Sequence, residues 1–183
     1  TITVVLKKAM EGALDGTTAT EPKQADGVYQ ISTGAELAWF AQTVNAGTNN
    51  IKGKLTKDIE LAGFPWTPIG NTSKGFTGEL DGAGFAVRNL CINSTADNQG
   101  LIGRLGANGK VHDLTVTGSV TTTGNTAGGI VGYAPAKTSV INCLNEADVT
   151  AKTCAAGVVG KTQGNVANAN NAKKAPVIKN CGN

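Results

Sequence analysis

The sequence predicts an all-β protein, a parallel β-helix (solenoid) with a short N-terminal capping helix, and three observations carry that prediction. The word Gly-apolar-apolar-Gly occurs as GLIG, GIVG and GVVG, beginning at Gly100, Gly129 and Gly157, with spacings of 29 and 28 residues. The stretch VHDLTVTGSV (111–120) aligns with VINCLNEADV (140–149) at the same 29-residue offset, pairing Leu114 with Cys143, Gly118 with Ala147 and Val120 with Val149. Within these stretches Leu114, Val116 and Val120 alternate with polar residues, the period of a strand, and no helical spacing occurs between 51 and 160. Short strands that recur at a fixed period, each unable to bury its face alone, are satisfied by stacking rung on rung. A β-sandwich also has short alternating strands, but it does not explain the period.

Residues 1–26 are a lead-in, and TITVVLKKA (1–9) suits the last strand of a preceding Ig-like domain. Both ends look cut, so the chain is expected to be a piece of a longer polypeptide whose neighbouring domains are its first partners. The β-helix is expected over 27–183, with an N-terminal cap over 27–70 and repeats over about 76–183. In STGAELAWFAQTVN, Thr33 is an N-cap with Glu36 three residues on, a capping box, and Leu37, Phe40, Ala41 and Val44 share one helical face. A short amphipathic helix there covers apolar columns that no earlier rung covers. Next, Ile51, Leu55, Ile59 and Leu61 share one parity, an entering strand. Trp39, Phe64 and Trp66 are expected to pack this cap, with an aromatic platform for sugar stacking as the alternative. The last copy, VIKNC (177–181), arrives late because a polar insertion, TQGNVANANNAKKAP (162–176), precedes it.

The glycine words have a physical reading of their own. A chain that turns the same corner on every rung needs φ > 0 at equivalent places, and Gly adopts that conformation without a Cβ penalty. The pairs Leu101-Ile102, Ile130-Val131 and Val158-Val159 then fill a narrow interior. A Gly-rich phosphate cradle requires a following helix, which GVVG lacks.

These words, each followed by a turn and a V-x-N-C or V-x-D-L strand, resemble the GLUG-motif repeats of bacterial cell-surface, adhesin-like proteins. GVYQISTGAELAWFAQTVNAG (27–47), KLTKDIELAGFPWTPIG (54–70) and FTGELDGAGFAVRNL (76–90) resemble the leader that precedes such repeats. Phe85 departs from that pattern, where a polar residue is expected after DGAG. The resemblance covers about Gly27 to Asn183. It implies a right-handed β-helix in an exported, often wall-attached protein, and no shared catalytic residues.

Composition excludes other classes. The 183 residues include 25 Gly, with 16% charged and 4% aromatic residues, and a net charge of +3. The only close basic pairs are Lys7-Lys8 and Lys173-Lys174, which make no nucleic-acid footprint. No apolar run approaches the ~20 residues of a membrane span.

For chemistry, the 13 carboxylates read as scattered. Asp81 sits in a DG turn, where its side chain caps the backbone. His112, the single histidine, reads as a surface or turn residue. His112 and Asp113 are strand neighbours and should point to opposite faces. No catalytic, metal or cofactor residues are therefore assigned, and the ligand-binding residues stay unknown. Asn89, Asn142 and Asn180, with Asp113, recur beside one column and are read as local turn caps, a polar ligand ladder being the rival. Thr-rich TVT (115–117) and TTT (121–123) do not recur on the next rung, which excludes a flat ice-binding array. Cys91, Cys143, Cys154 and Cys181 lack C-x-x-C spacing, which argues against zinc. Cys143 and Cys181 take the place of Leu114 on successive rungs, so free thiols in one column are expected, with an inter-rung disulfide as the rival. The resulting expectation is a non-catalytic structural or adhesive module on the bacterial cell surface. Its partners beyond the neighbouring domains would be a host or cell-wall glycan or protein. A fragment of a polysaccharide-acting, pectinase-like β-helix enzyme is the alternative.

Overall fold

The computed structural model describes residues 19–163 and 175–183. The strand expected at 1–9 and most of the polar insertion at 162–176 lie outside the described residues. Strand β1 (Gln24–Ala25) turns back on β2 (Val28–Ile31) across Asp26-Gly27, both at positive φ (51° and 75°), the backbone that a two-residue hairpin turn demands. Helix α1 (Gly34–Ala46) follows. Its capping box is formed as the sequence predicts: the Glu36 N–H donates to Thr33 Oγ1 (3.1 Å) and the Thr33 N–H donates to the Glu36 carboxylate (3.1 Å). Leu37, Phe40, Ala41 and Val44 are buried, and Phe40 meets Phe76 edge-on at 5.7 Å.

The rest of the described chain is strand and turn: β3 (Lys52–Leu55), β4 (Ile59–Glu60), β5 (Glu79–Asp81), β6 (Ala86–Ser94), β7 (Ile102–Arg104), β8 (Lys110–Thr122), β9 (Thr126–Gly128), β10 (Val131–Ala134), β11 (Ser139–Thr150), β12 (Cys154–Ala156), β13 (Val159–Thr162) and β14 (Val177–Lys179). The largest sheet runs β1-β2-β3-β5-β8-β11-β14, with β4 and β6 joined to it through β8; β7-β10-β13 and β9-β12 form two further walls. Among the described residues every strand pairing after the opening hairpin is parallel. The protein is therefore a β-solenoid, since parallel neighbours need a crossover connection and here each crossover is one circuit of the rung.

The register is the one read from the repeats. Val140 lies beside Val111, Cys143 beside Leu114 and Val149 beside Val120, while Val131 lies between Ile102 and Val159. VIKNC stacks as the third copy, with Val140 beside Ile178 across the longer loop. Toward the N-terminus the circuits are less regular: Val28 pairs with Lys52, Lys52 with Glu79 and Glu79 with Lys110. Interior side chains stack in columns. Leu80, Val111 and Val140 form one, and Leu101, Ile102, Ile130 and Val131 are buried completely. Burying each such side chain contributes about 1.5–3 kcal/mol, which a short strand obtains only from the rungs above and below it.

Two expectations about this architecture are corrected. Glycines of the repeated words are not the positive-φ residues; that conformation falls on Asp113, Asn142 and Asn180 (φ 52–54°), on Asn89 (56°), and on glycines elsewhere, such as Gly118 and Gly63. The glycine words are instead places of close approach, to backbone at Gly100, Gly103, Gly132 and Gly160 and to the Asn145 and Asn183 side chains at Gly129 and Gly157. A Cβ on Gly132 would sit 2.6 Å from Asn98 O and 2.7 Å from Gly103 O, and one on Gly103 would sit 2.6 Å from Gly70 O. The walls are so near that only a hydrogen fits between them. The aromatic residues also separate. Trp66 is buried and donates its indole N–H to Leu101 O (3.0 Å), Phe64 is exposed, and Trp39 packs on Tyr29 at 5.1 Å, so the three do not pack as one cap.

Candidate functional site

The outer face of β3, β5 and β8 gathers the densest polar chemistry among the described residues, and the stacking register explains why. In-register parallel strands place equivalent positions side by side, so one column reads Lys54, Asp81, His112 and the next reads Lys52, Glu79, Lys110. Lys54 Nζ lies 3.3 Å from Asp81 Oδ2, and Lys52 Nζ lies 4.0 Å from Glu79 Oε2. The His112 ring fits between the acids: Nε2 is 3.1 Å from Glu79 Oε1, and Nδ1 is 2.7 Å from Asp113 Oδ2 and 3.6 Å from Asp81 Oδ1.

This arrangement overturns the expectation that His112 and Asp113 face opposite ways. Alternation holds only for extended backbone, and Asp113 has φ +54°. There β8 bends from the face paired with β5 to the face paired with β6. Asn and Asp tolerate that left-handed conformation better than most residues, which suits them to the corner. The carboxylates are accordingly not scattered, because Glu79, Asp81 and Asp113 converge across two rungs. His112 is neither a turn residue nor freely exposed; its side chain is 25% accessible.

The corner column continues upward as a ladder between rungs. Asn142 Nδ2 donates to Asp113 Oδ1 (2.8 Å), and Asn180 Nδ2 donates to Asn142 Oδ1 (3.0 Å). These bonds run between rungs rather than locally. Asn89 does not belong to this column. It turns a different corner, between Gly63, whose N–H donates to Asn89 O, and the rung of Gly118, and its side-chain amide donates to the Glu60 carboxylate (2.8 Å). The expected backbone-capping role of Asp81 is present, with the Ala83 N–H donating to Oδ1 at 2.7 Å.

Electrostatics follow from these contacts. The Asn142 amide and then the His112 ring hold the Asp113 carboxyl below the usual carboxylate range. Burial alone would lower the His112 pKa, but the hydrogen bonds to Asp113 and Glu79 and the charges of Asp81 and Asp113 outweigh it and raise the value above that of a free histidine. Asp81, His112 and Asp113 can each bring one donor atom within 4.8 Å of the others. Those atoms are already engaged: Lys54 and the Ala83 N–H hold Asp81, Asn142 holds Asp113, and carboxylates flank both ring nitrogens. The cluster binds itself together as an ion-paired network. A glycosidase acid would need a carboxyl with a raised pKa, the opposite of what Asp113 has.

Elsewhere the same logic of outward columns recurs. Arg104, Tyr133 and Lys161 are in register on β7, β10 and β13, with the Arg104 guanidinium 4.4 Å from the Tyr133 ring centre. Sequence reading missed Asn145, which replaces an interior valine one rung above Val116. It is 1% exposed, and its amide is satisfied by Ala147 O (2.8 Å) and Asn183 Oδ1 (2.6 Å). Nearby, an open hollow of about 250 Å³ is lined by Ala147, Asp148, Val149, Ala155, Ala156, Gly157 and Asn183, with Asp148 the one ionisable side chain among these described residues. The four cysteines carry free thiols; Cys143 is buried beside Leu114, and Cys154 is exposed.

With this geometry in view, the comparisons with known proteins are informative about context. No family model matches the chain, and no solved structure matches it. It is 30% identical over 166 residues to halomucin of Haloquadratum walsbyi, an alignment covering 81% of this chain and 2% of that protein. It is 33% identical over 101 residues to a protein described as a Gly-rich membrane protein of Evansella cellulosilytica, covering 51% of this chain and 11% of that one. The chain thus spans a small part of the curated relatives it matches. Among the described residues no helix is long and apolar enough to cross a membrane.

Proposed function

We propose that this chain is a rigid, non-catalytic β-helical segment of an exported cell-surface protein, which spaces or presents neighbouring domains. The observation that supports this reading most is how the repeated residues are used. Gly100, Gly103, Gly132 and Gly160 of the GLUG-type words meet neighbouring backbone, Gly129 and Gly157 meet the side chains of Asn145 and Asn183, the apolar pairs fill the interior, and the Asp113-Asn142-Asn180 ladder joins rung to rung. Repetition therefore builds length and stiffness. The relatives, a halomucin and a Gly-rich membrane protein, both much longer than this chain, agree with a segment of a large extracellular polypeptide. In this reading the rungs belong to the right-handed GLUG-repeat type, α1 closes the N-terminal end of the stack, and a host or cell-wall glycan or protein is the external partner. Protease treatment of intact cells should release peptides from residues 27–183 into the medium. Their release only after lysis would contradict surface exposure, and a glycan array would identify a carbohydrate ligand.

One observation favours a second reading, a polysaccharide-acting enzyme: Glu79, Asp81, Asp113 and His112 stand together on one face. It ranks second because Lys54, Asn142 and His112 already hold these carboxylates and Asp113 is stabilised as the anion. Incubation with pectin, alginate, chitin and glycosaminoglycans should release no reducing ends or unsaturated products. Saturable turnover of any of them would establish the enzyme reading instead.

A further inference from the structure

We propose that His112 is a proton-operated clasp between two rungs of the solenoid: its protonated ring ties Glu79 and Asp81 of β5 to Asp113 of β8, and loss of the proton loosens that seam. The argument is geometric. Both ring nitrogens face carboxylate oxygens, Nε2 against Glu79 Oε1 at 3.1 Å and Nδ1 against Asp113 Oδ2 at 2.7 Å. An ionised carboxylate only accepts hydrogen bonds, and a neutral imidazole has one N–H. A neutral ring would therefore turn a lone pair toward one of two anionic oxygens, whichever tautomer it adopted. The imidazolium, with two N–H groups, satisfies both at once.

The groups packed around the ring support the same assignment. From β5 come Glu79 and Asp81, both acidic. From β3, one rung further, come Lys52 and Lys54, whose ammonium groups pair with the outer oxygens of those acids. On β8 itself Asp113 touches the ring, and Lys110 lies in register with Glu79. On the other side, β11 places neutral Ile141 beside His112 and neutral Asn142 on Asp113, so no cation from that rung competes with the ring. The column Lys54, Asp81, His112 alternates in sign only when His112 carries its proton. Burial works against the charge, yet the surrounding acids outweigh it and the His112 pKa lies above its ordinary value of 6.5. Because the folded-state value exceeds the unfolded one, the clasp's stabilisation is complete below the unfolded value. It fades as pH rises through the folded value.

His112 is the single histidine in the chain, so its imidazole Cε1–H resonance is read without assignment. In the folded protein its titration midpoint should lie above 6.5, and E79Q and D113N should each lower it by roughly half a unit or more. In parallel, the melting temperature of the wild type should exceed that of H112Q at about pH 5.5, and the gap should close by about pH 8.5. A midpoint at or below 6.5, one that neither E79Q nor D113N moves, or a melting gap independent of pH would overturn the proposal. The resonance titrations of wild type, E79Q and D113N decide the matter even if H112Q fails to fold.

Discussion

Replacing Gly132 with alanine separates the two reasons a solenoid rung can require glycine. Gly132 is not at positive φ, so alanine meets no conformational objection there. The obstacle is space: the new Cβ would meet the Asn98 carbonyl carbon, Asn98 O at 2.6 Å and Gly103 O at 2.7 Å, all of them backbone atoms of neighbouring segments. Carbon needs about 3.5 Å or more for ordinary contact, so the walls must part by much of an ångström. Overpacking of this kind costs about 1–3 kcal/mol, and the upper end applies because backbone cannot rotate away. Lower entropy of the unfolded chain returns about 0.4–1 kcal/mol. A net loss of about 2 kcal/mol lowers the melting temperature of a protein this size by about 4–8 °C. Gly63 is the control. Its φ is +72° and nothing lies within 4 Å of a Cβ built on it, so Gly63→Ala meets only the left-handed strain of about 1–2 kcal/mol, partly offset in the same way. Thermal denaturation followed by circular dichroism should rank Gly132→Ala as the more damaging. The opposite order would show that conformation, not wall contact, demands the glycine, and the close-packed arrangement of the three walls would be wrong.

Other perturbations have equally definite outcomes. Thiol titration of denatured, non-reduced protein should count four free groups, and two or fewer would reveal a disulfide. In the native state, exposed Cys154 should react early and Cys143 late, since burial pushes its thiol up to about 12. Thr33→Ala removes one half of the α1 capping box and should lower stability by about 1 kcal/mol, measured by urea denaturation. The Ala86 N–H and then the Arg88 guanidinium hold Asp58 below the usual carboxylate range, so its contribution is present above the unfolded carboxylate pKa. It is lost as pH falls through the lowered folded value. Asp58→Asn should accordingly flatten the acid side of the melting profile, and an unchanged profile would contradict that role.

Much of the architecture was legible because it depends on spacing along the chain. The 28–29-residue offset located the partners of Leu114, Val120 and Ile102, and local chemistry at Thr33 and Glu36 announced the helix. The site was not legible, for a physical reason. Its contacts join residues from rungs of unequal length, as Glu79 meets His112 at a separation of 33 residues while Asp113 meets Asn142 at 29. The irregular circuits before Gly100 carry no repeated word from which such a partner could be read. Alternation places His112 and Asp113 on opposite faces because it assumes extended backbone, and the left-handed corner at Asp113 is visible only once the bend of β8 is known. The same limit misplaced Asn89, whose sequence context matches Asn142 and Asn180 although it turns a different corner. The glycine words suggested turns because φ is a local property. Their actual constraint is a neighbouring segment, backbone at Gly103, Gly132 and Gly160 and an asparagine side chain at Gly129 and Gly157, which no local pattern records.

The central claim is that the rungs stack in parallel at a one-circuit register, and inter-strand nuclear Overhauser effects in labelled protein test it most directly. Neighbouring strands lie about 4.8 Å apart, well within reach of that effect. The account predicts contacts between Val111 and Val140, Leu114 and Cys143, Val116 and Asn145, and Val120 and Val149, both members of each pair advancing together along the chain. Contacts in which one member advances while the other retreats would mean antiparallel strands, and a sandwich in place of the solenoid.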